Sequence, residues 1–136
     1  MATYIEGAII DHLQGGTAVA AICSDRIYWE KAPDRPTLPY VVFSSIADPH
    51  NAMYFDPDDA LTKSGQRLMQ FSCVAEKNTD AANLQKEVMK KLRWTEGTVA
   101  SYTIITISIE NMRSDFDPDT QRYVCDVDAV VEYYET

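Results

Sequence analysis

The segment from Tyr123 to Tyr133 constrains this chain more than any other. Tyr123, Cys125, Val127, Ala129, Val131 and Tyr133 fall on one side, and Arg122, Asp126, Asp128 and Glu132 fall on the other. That two-residue period is the mark of a strand with one face in a core and one face toward solvent. The segment before it, Val99 to Met112, reads the same way. Ile105, Ile107 and Ile109 lie on one side, and Tyr102, Thr106 and Ser108 on the other. The acidic stretch "SDFDPDT" between them supplies a turn, so residues 99–134 predict a long antiparallel β-hairpin.

A hairpin with one apolar face needs a second layer, and the segment after Asn78 provides it. Asn78-Thr79-Asp80 predicts a helix cap. The following residues place Ala81, Leu84, Val88 and Leu92 on an inner face, with Asn83, Lys86, Glu87, Lys90 and Arg93 outside. The segment from Gln66 to Ala75 predicts a strand, with Met69, Phe71 and Cys73 on one face and Gln70 and Ser72 on the other.

At the start of the chain, Thr3 and Glu6 have the spacing of a capping box. Ile5, Ile9 and Leu13, widened by Ala8 and Ile10, form an apolar helical stripe that Gly15-Gly16 ends. A shorter helix is predicted over Thr17 to Ile22. The next stretch, Ser24 to Phe43, turns at "SDRIY", crosses through Pro33, Pro36 and Pro39, and enters the apolar strand "LPYVVF". Prolines fix φ and remove backbone donors, so the crossing is neither helix nor interior strand. The element order is α-α-β-β-α-β-β. It predicts an α+β fold of two layers, a mostly antiparallel sheet covered on one face by two main helices.

With 136 residues, the chain is expected to form one domain. Residues Ala47 to Gly65 read as a long loop insert with two Asp-Pro pairs, four aspartates and an apolar centre of Met53, Tyr54 and Phe55. Loops of this length tend to be functional or disordered. The apolar centre predicts a docking segment, with folding back on the chain's own core as the alternative.

Net charge is −9, and from Glu110 onward eight acids face two arginines. Stable binding to phosphates needs clustered Lys and Arg, so nucleic-acid binding is not expected. No apolar run approaches the ~20 residues of a membrane-spanning helix, and the first residues lack the pattern of a signal peptide. Expression and use in a cytoplasm, with no membrane partner, are expected.

The chemistry-bearing residues do not assemble into a catalytic motif. Cys23, Cys73 and Cys125 are far apart, without a C-x-x-C pair, and Cys73 and Cys125 fall on apolar strand faces. Asp115, Asp117 and Asp119 alternate like the opening of a calcium loop. The sixth position is Thr120 instead of glycine, Pro118 holds the fourth and Asp126 the twelfth. A solvated turn is the better reading, and Asp56, Asp58 and Asp59 are read the same way. His12, His50 and Ser44-Ser45 lack a nucleophile or base at a matching spacing. Neither an enzyme nor a bound cofactor or metal is expected.

The first half, "AVAAICSDRIYWEKAPDRPTLPYVVFSSI" after an N-terminal helix, resembles the tail completion family of long-tailed bacteriophages, also called tail terminator or head–tail joining proteins. "QRLMQFSCVAEKNTDAANLQKEVMKKL" and the closing hairpin are similar to the family's later elements. The resemblance implies a virion protein of the tail or neck, assembled in the host cytoplasm. It implies a ring, usually of six copies, that caps the finished tail tube, joins it to the head connector and lets DNA pass. It carries no catalytic residues over. Arg26, Tyr28, Pro39 and Tyr40 match recurrent positions and are read as fold and interface determinants.

Asp126, Asp128 and Glu132 are the candidate lining of the ring's lumen, where acidic walls would keep DNA from sticking. Two rivals stand beside this reading. An acidic DNA mimic would occupy the basic groove of a nuclease or repressor, with those same carboxylates spaced like phosphates. A tail-tube subunit would stack without limit.

Overall fold

The sheet is built on its two longest inner strands. A computed structural model describes residues 5–47, 63–93, 97–99 and 102–135. Its elements are α1 (Ile5–Gln14), α2 (Thr17–Cys23), β1 (Ile27–Trp29), β2 (Tyr40–Ala47), β3 (Lys63–Ala75), α3 (Asn78–Leu92), β4 (Gly97–Val99), β5 (Tyr102–Asp117) and β6 (Arg122–Glu135). They form one six-stranded sheet in the order β1-β2-β3-β6-β5-β4. Every neighbouring pair is antiparallel except β1 with β2. The α+β fold predicted from the sequence is the one observed, with two short strands, β1 and β4, added at the sheet edges.

Register explains the core. Val41, Cys73 and Cys125 form one row across β2, β3 and β6, and Phe43, Phe71 and Val127 form the next. All six are at most 1% exposed. The Phe43 and Phe71 rings stack with centroids 5.0 Å apart. Ala8, Ile9 and Leu13 of α1 and Leu84, Val88 and Leu92 of α3 close over these rows in a single apolar cluster. Helix α1 touches both β1 and β4, the two opposite edges, so the sheet curls around it.

Several expectations change in detail. β5 contains two bulges, between Ile104 and Thr106 and between Ile109 and Asn111. An extra residue reverses which side chains face the core. Tyr102 and Ile104 are therefore buried before the first bulge and Ile107 after it. The expectation that Tyr102 faces outward is corrected, because the residues from 99 to 112 do not keep one period. The turn of the hairpin is also shorter than predicted. Ser114 to Asp117 belong to β5, and only residues 118–121 turn, with Gln121 at φ 59° and the Asp117 carboxylate accepting the Asp119 N–H at 3.0 Å.

Asn78-Thr79-Asp80 lie inside α3. Its N-cap is Lys77, and no side chain caps it. Thr3 lies outside the described residues, and Glu6 faces the sheet. β2 runs to Ala47 and β3 begins at Lys63, so the ends of the expected 47–65 loop are strand. Met53, Tyr54, Phe55, His50, Asp56, Asp58 and Asp59 lie outside the described residues.

Candidate assembly surface

The residues matched to the tail completion pattern come together where β1 meets β2. Arg26 Nε donates to the Pro39 carbonyl at 2.9 Å. The Arg26 carbonyl accepts the Val41 N–H at 3.0 Å, which holds the proline-marked crossing to β1. The Tyr28 and Tyr40 rings lie 6.0 Å apart at 59°. Their period places them on the sheet face away from the helices, opposite to Ile27 and Val41. Tyr40 is buried and Tyr28 half-buried. Arg26 and Pro39 thus fix the chain path, and the two tyrosines fill one end of the outer face.

A polar cluster lies under α1. Glu6, 3% exposed, accepts hydrogen bonds from Arg67 Nη1 at 2.6 Å and Ser45 Oγ at 2.9 Å. An unpaired carboxylate there would lose its hydration without compensation, and the two donors supply it. Sequence reasoning missed this group. Its signal was the parity of β3: Arg67 is in step with Met69, Phe71 and Cys73, and so points at the helix layer.

The lumen candidates are less free than their spacing suggested. Arg113 reaches across from β5 and binds Asp128 at 2.8 Å and 3.3 Å. It also lies 3.7 Å from Asp126. Gln70 donates to Asp126 Oδ2 at 3.3 Å. The carboxylates raise the affinity of Arg113 for its proton, through the hydrogen bond and charge of Asp128 first. One arginine therefore partners two of the three acids that seemed too many for the local bases. Glu132 sits half-buried on the same face. Gln85 of α3 pins this part of the hairpin by donating to the carbonyls of Arg113 and Asp126 at 2.9 Å and 2.8 Å.

Beyond this tie the hairpin outruns the helix layer. Met112 is 42% and Phe116 39% exposed, although both are in step with the core-facing side of β5. The Phe116 ring packs on Tyr123 of the facing strand with centroids 4.8 Å apart. Strand β4 covers β5 only from Tyr102 to Ile104, so among the described residues the outer edge beyond Ile104 has no partner strand. A cleft of about 470 Å³ opens beside that edge, lined by Met89, Arg93, Ile107, Ile109 and Met112.

Among the described residues, no group of three or more His, Cys, Asp or Glu converges as a metal site would need. Cys73 and Cys125 oppose each other across β3 and β6 as free, buried thiols, and burial pushes Cys73 well above its ordinary value. His12 Nε2 lies 3.0 Å from the Lys91 carbonyl and ties α1 to the end of α3. No described helix is long and apolar enough to cross a membrane.

Residues 7–132 match the family described as Tail completion protein gp17. The chain belongs to this family. It is accordingly a structural protein of a phage-type virion, placed at the tail or neck. The tail completion fold also resembles a chain in a solved structure titled "Virion of native gene transfer agent (GTA) particle". The TM-score is 0.74 at 12% identity, with 96% of this chain and 94% of that chain covered. No curated protein matches the sequence.

Proposed function

We propose that the chain forms a closed homo-oligomeric ring, of six copies as the resemblance implies, that caps the tail tube and joins it to the head connector. The match of almost the whole chain to the tail completion family carries this reading. The edge of β5 that has no partner strand among the described residues and the apolar end of the hairpin supply surface for contacts between copies. The outer sheet face, with Asp126, Asp128 and Glu132, lines the lumen through which DNA passes without being held. Asp126, Asp128 and Glu132 give that wall carboxylates that repel phosphate. Arg26, Tyr28, Pro39 and Tyr40 shape one end of this face, and Met53, Tyr54 and Phe55 contact the tube or the connector. The whole chain acts as one tail completion domain and no enzymatic step is assigned to it.

The test is particle assembly with and without the chain. In its absence tails should vary in length and fail to join heads, and supplying the protein should restore both. Tails of normal length already joined to heads would overturn the proposal. An open-ended polymer of the pure protein would indicate a tail-tube subunit. A DNA mimic would instead remain monomeric or dimeric and bind a basic partner. That second reading is weakened by Arg113, which already engages two of the required phosphate-like charges.

A further inference from the structure

One row of side chains crosses the sheet and ends in an exposed apolar residue at each edge. Register links Trp29 of β1 to Phe43, Phe43 to Phe71, Phe71 to Val127, and Val127 to Met112 of β5. The three inner members are buried, whereas Trp29 is 39% and Met112 42% exposed. Both ends are in step with buried members of the row and so lie on the helix-layer face. The next row runs on the outer face from Tyr28 through Val42, Ser72 and Asp126 to Arg113.

The main chain opens outward at the same two places. The Val41 N–H donates to the Arg26 carbonyl and the Glu30 N–H to the Phe43 carbonyl, so Val41 and Phe43 turn their backbone groups toward β1. Alternation along each ladder then aims the backbone groups of Ile27 and Trp29 at the outer edge of β1. It aims those of Met112 and Ser114 at the outer edge of β5. The Met112 and Phe116 N–H groups accordingly donate to the side-chain oxygens of Asn111 and Asp115, at 3.0 Å and 2.8 Å, and not to a strand. The Ile27 N–H and the Trp29 carbonyl are held within their own turns, by Asp25 and Lys31. The Ile27 carbonyl and the Ser114 N–H are therefore the groups on which a new ladder can be built.

We propose that β1 of one copy adds to the outer edge of β5 in the next as an antiparallel strand, with Trp29 against Met112 and the Ile27 carbonyl accepting the Ser114 N–H. This rests on the ring reading and names its contact. β1 runs with β2, and three antiparallel steps lead from β2 to β5, so the two edges run in opposite senses. Rotation about an axis along the strands preserves those senses, which makes the junction antiparallel. The two edges differ, so the contact is head-to-tail, the type that builds rings when the rotation closes. Rows continued at one level place Tyr28 beside Arg113 and Arg26 opposite Asp115 on the outer face, the second an opposite-charge pair. On the other face the indole covers Met112, and both side chains leave water. Phe116 lies further along β5, past the reach of β1, and takes no part.

The experiment uses full-length variants checked for wild-type melting. Mass measurement over a concentration series should show that wild type forms oligomers. Trp29→Ala should weaken association at least about 30-fold, as loss of a buried tryptophan anchor does. Ser114→Pro should do the same, since it removes the N–H at the open edge without touching the β6 ladder. A chain carrying both Trp29→Cys and Met112→Cys should oxidise to a series of covalent oligomers that reductant dissolves, because paired positions lie within disulfide reach. The cysteine pair decides the matter even where the proline lowers melting. Variants that assemble like wild type, or an oligomer without that disulfide, would overturn the junction and leave the ring reading intact. Covalent dimers from Met112→Cys alone would show β5 pairing with itself and would likewise overturn it. A wild type that stays monomeric, with no covalent oligomer from the cysteine pair, would overturn both.

Discussion

Glu6 of α1 and Arg67 of β3 meet at 2.6 Å beneath the helix layer, 61 residues apart in sequence. The contact fixes where the first helix lies on the sheet, since among the described residues Arg67 and Ser45 are the side-chain donors to the buried carboxylate. Removing one partner of such a pair strands a charge, whereas replacing both with apolar residues removes the demand. Arg67→Met should cost about 3 kcal/mol, toward the low end for buried pairs because the arginine side chain keeps a third of its surface in water. Glu6→Leu combined with Arg67→Met should recover most of that loss. Urea titration of the three proteins checks this, and a double variant no better than Arg67→Met would contradict it.

His12 gives the fold a sensitivity to mild acid. Burial holds its proton affinity below the ordinary value of 6.5, with the charge of Lys91 acting in the same direction. The unfolded chain therefore binds the proton first, and stability must fall as pH drops from 6.5 toward the lowered folded value. Above 6.5 this contribution is fully present. His12→Gln should flatten the slope of stability against pH in that window. Denaturant midpoints measured at stepped pH for both proteins would show the difference, and parallel curves would exclude His12 as the cause.

Val127 tests the assignment of strand faces. It is fully buried, in register with Phe71 on one side and Met112 on the other. Val127→Asp puts an unpaired carboxylate between them and should cost at least about 4 kcal/mol, enough to leave the protein insoluble or unfolded. Val124→Asp, on the opposite face of the same strand, should be tolerated far better. Expression, solubility and thermal melting of the pair give the answer.

The lumen proposal predicts an effect on DNA and not on folding. Asp126→Asn, Asp128→Asn and Glu132→Gln together preserve side-chain shape and leave one carbonyl oxygen at position 128 to accept from Arg113, while removing the negative charge that offsets it. Rings and tails should still form. DNA passage should become slower and more dependent on salt, because the arginines now face phosphates unopposed. Failure of the triple variant to assemble, with normal DNA passage in any particles completed, would move these residues from the lumen to a subunit contact.

The elements with one unbroken period were legible from sequence. Leu84, Val88 and Leu92 are buried as their spacing required, and so are Cys125, Val127, Ala129 and Val131. β5 was not, because its two bulges shift the period and no local residue pattern announces them. The strand β1 was hidden in three residues after a turn, and it forms only because β2 returns beside it in parallel. Of the expected assembly residues, Arg26, Tyr28, Pro39 and Tyr40 proved to be neighbours, joined by a hydrogen bond and a ring contact that sequence spacing alone could not show.

Where an element keeps one period, the sequence by itself determined which apolar residues leave water, because their burial follows a spacing that neighbouring residues set. It likewise determined the family, since the pattern from the first helix through "LPYVVF" to the closing hairpin survives without any coordinates. Partnership among charges belonged to the tertiary structure alone. Whether Glu6 is capped, solvated or paired, and whether Asp126 and Asp128 stand free or share Arg113, depends on distances across strands and layers. Coulomb energy depends on separation in space and on the surrounding dielectric, and the chain acquires both only when the sheet closes around α1.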